Sequence, residues 1–92
     1  MHYWTVVLLR CPALNELTEE RYGKDVYVAH VTETTAGEAL AAARKEAYTV
    51  DRRDMGVRKL KGLGIRADEE SYRLCVMFQG HHEVEHFGWN EH

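Results

Sequence analysis

An α+β domain is predicted for this 92-residue chain, an antiparallel β-sheet of about four strands with one main helix packed on one face. Three observations predict it. Residues 25–34 and 71–78 alternate in polarity with the period of 2 expected of strands. Thr35 followed by Glu38 forms a capping box ahead of an alanine-rich stretch with helical spacing. After Gln79-Gly80 a further strand-like run resumes at 83–89, which reads as a closing hairpin. The order is therefore strand, strand, helix, strand, strand in one domain spanning residues 1–92.

Each element has its own justification. Residues 3–10 (Tyr-Trp-Thr-Val-Val-Leu-Leu-Arg) are β-branched and aromatic and are apolar on both alternating sets, as in a central strand covered on two faces. The connection at 11–24 opens with Cys11-Pro12 and closes at Tyr22-Gly23-Lys24-Asp25, which allows a short helix from the proline to the glycine. In the second strand Val26, Val28, His30 and Thr32 oppose Tyr27, Ala29, Val31 and Glu33, and this strand is expected to pair antiparallel with the first. On the helix, Ala36, Ala39, Leu40, Ala43, Ala47 and Val50 form one mostly small apolar stripe, so the helix lies close on the sheet, with Gly56 as its stop. Residues 54–70 carry three glycines and read as a long basic loop without regular structure. In the third strand Tyr72, Leu74, Val76 and Phe78 are placed on one side and Arg73, Cys75 and Met77 on the other.

The composition, 45% hydrophobic and 29% charged with one proline, is that of a chain structured throughout. No apolar run is long enough for a membrane span, and Met1-His2-Tyr3-Trp4 lacks the basic start of a secretion signal, so a soluble, cytoplasmic protein is expected. Cys11 and Cys75 then read as small buried hydrophobes rather than as a bridge. Nothing in the sequence calls for a cofactor.

The charge distribution is uneven. Residues 44–66 hold eight of the twelve Lys and Arg residues against Glu46, Asp51 and Asp54, giving that segment about +5 and the rest about −8. A basic patch in an acidic domain suggests a surface for an anionic partner, and Lys45, Arg52, Arg53, Arg58, Lys59, Lys61 and Arg66 are the candidate binding residues. Lys45 and Arg52, seven residues apart, share the solvent side of the helix. The competing expectation is that Arg52, Arg53, Arg58 and Lys59 are neutralised by Glu16, Glu19, Glu20, Asp68, Glu69 and Glu70.

No catalytic residue or metal ligand is assigned. His82-Glu83-Val84-Glu85-His86 matches the inverzincin pattern, but that chemistry needs a helix; on a strand the two histidines are about 13 Å apart. Its alternative, a small metal-binding hydrolase, would use the cluster from His81 to His86. Gly62-Leu63-Gly64 is too short for a nucleotide-binding fingerprint. Tyr3, Trp4, Tyr27, Tyr72, Phe78, Phe87 and Trp89 lie on expected strands and are mostly core, although an uncovered sheet face would let some stack bases or bury Trp4 and Tyr27 in a homodimer.

The passage from the second strand through Thr32-Glu33-Thr34-Thr35-Ala36-Gly37-Glu38-Ala39-Leu40 into an alanine-rich helix, in a short acidic chain, resembles small phage-encoded early proteins, among them anti-CRISPR inhibitors. That resemblance is one of domain style over residues 3–89. It implies a noncatalytic, stoichiometric inhibitor, monomeric or homodimeric, that grips a CRISPR ribonucleoprotein through protein contacts and contacts to RNA or DNA backbone. An acidic DNA mimic is disfavoured by the cluster at 44–66.

Overall fold

In a computed structural model that describes residues 1–22 and 26–81, the elements are β1 (His2–Arg10), α1 (Pro12–Tyr22), β2 (Val26–Glu33), α2 (Ala36–Met55), α3 (Val57–Gly62) and β3 (Tyr72–Gln79). The described strands form one three-stranded antiparallel sheet in the order β2-β1-β3. The sheet expected to have four strands thus has three among the described residues, and the run at 83–89 lies outside them. The most apolar segment, β1, takes the centre, where Thr5, Val6, Val7 and Leu8 are fully buried. Pro12 opens α1, as its fixed φ and missing N–H favour.

The capping box forms as expected: the Glu38 N–H donates to Thr35 Oγ1 and the Thr35 N–H donates to Glu38 Oε1, each at 3.2 Å. From this cap α2 runs across the face of the sheet that carries Val6, Leu8 and Ala29, pressing Ala39, Ala43 and Ala47 into the core. Ala36 is exposed, and Leu40 and Val50 are half-buried, so the buried stripe is narrower than the apolar one. Its last buried member is a carboxylate, Asp51. At the fully buried Ala43, leucine adds volume with nowhere to go; Ala43→Leu is expected to cost about 1–3 kcal/mol in urea unfolding.

Two local expectations need correction. The sides assigned to β3 are mixed by an irregularity: Val7 pairs with Val76 but Leu8 pairs with Leu74, leaving Cys75 as the extra residue of a bulge. Side chains change side at such a point. Met77, opposite the core residue Val6, packs on the helix-bearing face, whereas Phe78, opposite Thr5, points away and is exposed. Cys75 is consequently exposed and Cys11 half-buried, neither being the deeply buried hydrophobe expected; both are free thiols.

The second correction concerns residues 54–70. Within the expected loop, α2 continues to Met55, the chain breaks at Gly56 and resumes as α3, and residues 63–70 keep the irregular structure expected. Gly56 has φ +97, where a Cβ is strained, and it closes α2 through its N–H to the Arg52 carbonyl while its own carbonyl accepts from Leu60. Between the glycines, Val57-Arg58-Lys59-Leu60-Lys61 contains good helix formers with one inward anchor, the fully buried Leu60. Counting glycines missed this because only Gly56 and Gly64 adopt positive φ, while Gly62 belongs to the helix.

Candidate functional site

Of the expected binding residues, Arg52, Arg53, Arg58, Lys59 and Lys61 lie within five residues of Gly56, where α2 gives way to α3, while Lys45 and Arg66 lie farther off on either side. Lys45 and Arg52 lie about two turns apart on the outward side of α2, and both are exposed. Arg52 and Arg53 sit in the last turn of α2, a position that also favours cations beside the free carbonyls. On α3, Leu60 points inward, so at 100° per residue Arg58 projects directly away from it and Lys59 and Lys61 flank that direction. Three cations thus stand on a helix about 9 Å long, comparable to the Debye length of about 8 Å at physiological salt, and their fields add.

Two acids within the segment, Asp51 and Glu46, are engaged elsewhere, and of the carboxylates expected to neutralise it, Glu16, Asp68, Glu69 and Glu70 pair with none of Arg52, Arg58 and Lys59. Asp51 is fully buried and takes a bidentate ion pair from Arg10: Nε donates to Oδ2 and Nη2 to Oδ1, both at 3.0 Å. Arg10 also donates through Nη1 to the Val26 carbonyl, and Tyr72 donates its hydroxyl to Asp51 Oδ2 at 2.8 Å. Burial first, and then the Asp51 carboxylate, push the Tyr72 pKa well above the usual phenol range. Glu46 accepts from the Tyr27 hydroxyl at 2.7 Å; burial and then that hydrogen bond raise the Tyr27 pKa.

Of the three acids in the basic segment, only Asp54 meets one of the candidate cations. It pairs with Arg53 at 3.1 Å, and Arg66 pairs with Asp68 at 3.3 Å. These arginine side chains are 72% and 75% exposed, so each pair is worth little and leaves its guanidinium open to solvent. Asp68 is chiefly a turn residue: it accepts the Ser71 N–H at 2.9 Å, which holds its pKa below the usual carboxylate value, with Arg66 adding to the effect. Arg44 is used internally, donating to the Tyr72 carbonyl at 2.8 Å. Lys45, Arg52, Arg58, Lys59 and Lys61 make no ion pair with any carboxylate among the described residues. The Arg52 guanidinium stacks over Tyr48, 5.5 Å from the ring centre.

Arg52, Arg58, Lys59 and Lys61 therefore flank the break between α2 and α3, with Lys45 about two turns back along α2, Arg53 in an exposed pair and Arg66 tied into the turn before β3. Sequence reasoning overlooked two neighbours: Val57 and Leu63 are 53% and 46% exposed at the two ends of α3. Their signal was a pair of aliphatic residues bracketing a run of cations. The His82-to-His86 cluster lies outside the described residues, and among the described residues no group of three or more His, Cys, Asp or Glu is placed to hold a metal ion. No helix there is long and apolar enough to cross a membrane. Compared with protein-family models, with curated proteins and with solved structures, the chain matches none.

Proposed function

We propose that the chain is a noncatalytic binding protein whose α2–α3 corner grips an acidic face of a protein or ribonucleoprotein assembly. In the form implied by its resemblance to phage early proteins, it is a stoichiometric inhibitor of a CRISPR effector. The observation that supports this reading is the outward set Lys45, Arg52, Arg58, Lys59 and Lys61, left without ion pairs among the described residues while Asp51 and Glu46 bond to internal groups. The exposed aliphatic side chains of Val57 and Leu63 favour a protein face over bare nucleic acid, since phosphate backbones offer no apolar contact.

The homodimer alternative has less support. Trp4 Nε1 donates to the Glu33 carbonyl, and Tyr27 packs against the chain's own core and bonds Glu46, so both aromatics are engaged within their own fold.

The test uses a reconstituted CRISPR effector with its guide RNA, and guide RNA alone, titrated with the protein and with an Arg58→Gln/Lys59→Gln/Lys61→Gln variant. All three positions are exposed, so stability should change by no more than about 0.5 kcal/mol. The expected result is binding to the effector that the variant weakens at least about tenfold, with a flatter salt dependence. Equal affinity and salt dependence for the variant would refute the docking surface. Equally tight binding of free guide RNA, with about 0.7–0.9 log units of salt slope lost per neutralised charge, would assign the corner to phosphates instead.

A further inference from the structure

We infer that Arg52, held in place by Tyr48, is a preorganised receptor for a carboxylate of an acidic protein segment. This rests on the protein-face reading proposed above and names the group that the surface recognises. Tyr48 and Arg52 stand four residues apart on α2, the spacing at which helical side chains are neighbours. Tyr48 is half-buried and packs against the buried core, so its ring is fixed from inside. The Arg52 guanidinium lies over that ring, 5.5 Å from its centre, and the Arg52 carbonyl accepts the Gly56 N–H that closes the helix. Backbone and side chain of this residue are therefore both held by the fold.

A guanidinium resting on a ring keeps its N–H donors in the plane of the fork, where a carboxylate takes them in pairs. Arg52 is exposed, and its side chain makes no hydrogen bond or ion pair among the described residues, so the fork is open. Holding a long side chain in one place before contact removes part of the ordering cost that a free arginine or lysine meets on binding. Among the described residues no aromatic ring supports Lys45, Arg58, Lys59 or Lys61. Those cations supply positive field, whereas Arg52 supplies direction. Lys45, seven residues back on the same side and about 10 Å away along the helix, meets a second acid, which suits a run of acidic side chains over an isolated one.

Titration calorimetry of the full chain at several salt concentrations tests the inference, with poly-L-glutamate as the carboxylate probe and poly(U) RNA as the phosphodiester probe, using Arg52→Lys, Tyr48→Leu and Tyr48→Phe. The parent chain is expected to bind poly-L-glutamate, and Arg52→Lys to weaken that binding at least about fivefold with an unchanged salt dependence, because the charge stays and the fork goes. Tyr48→Leu should weaken it to a similar degree, and Tyr48→Phe, which keeps the ring, should restore it. Arg52 is exposed, so Arg52→Lys leaves folding intact, which melting curves verify for every variant. Parent-like affinity in Arg52→Lys, no binding of poly-L-glutamate by the parent chain, or a loss in Arg52→Lys confined to poly(U) would each overturn the assignment. Discrimination by Arg52→Lys on poly-L-glutamate without any binding of the CRISPR effector would uphold the receptor and refute only the effector as its partner.

Discussion

Asp51→Ala is expected to lower the unfolding free energy by about 3–5 kcal/mol, the largest effect of any single replacement considered for this protein. The carboxylate is fully buried and accepts three hydrogen bonds, two from Arg10 and one from Tyr72. Removing it strands a guanidinium that is itself only 4% exposed, and the Tyr72 hydroxyl loses its acceptor. Urea unfolding followed by circular dichroism measures the loss. A paired Arg10→Met/Asp51→Leu variant should be far less damaging, because no charge is then left in the interior. If Asp51→Ala cost under about 1 kcal/mol, the guanidinium would have to reach water, and the ion pair between Arg10 on β1 and Asp51 on α2 would contribute little to holding the two elements together.

Leu60→Ala should be nearly as costly, about 2–5 kcal/mol, since it empties a fully buried site shared with the α2 alanines, Ile65 and Tyr72. Its second consequence concerns binding. Leu60 is the only buried side chain of α3, and it sets which way Arg58, Lys59 and Lys61 point. A six-residue helix does not persist without tertiary support. Leu60→Ala should therefore weaken partner binding although no charge has been removed, measured at a temperature where the variant is still mostly folded. Undiminished affinity would mean that the cations act as an unstructured basic tether rather than as a fixed corner.

Some of this architecture is legible from short-range patterns. Thr35 and Glu38 specify the start of α2 because the capping box closes within four residues, and Gly56 specifies its end because the positive φ there suits only glycine. β1 announces itself as central through apolar residues on both faces. The candidate cations were also legible as a charge cluster, since counting requires no geometry.

What went unseen depends on contacts distant in sequence. The bulge at Cys75 reverses which half of β3 faces α2, and nothing in Tyr72–Gln79 announces a slip that depends on pairing with Val7 and Leu8, more than sixty residues earlier. α3 was hidden because its stability comes from burying Leu60, not from its length.

The amino-acid order alone dictated an α+β chain with a capped, small-faced helix and an excess of cations beyond it, because propensity, capping and charge are properties of neighbours. Folding decided whether those cations stay available. Asp51 lies among the basic residues in sequence, yet the approach of α2 to β1 delivers it to Arg10, where a desolvated carboxylate must have a partner. By turning that carboxylate inward, the tertiary structure leaves the positive charge of the α2–α3 corner on the outside.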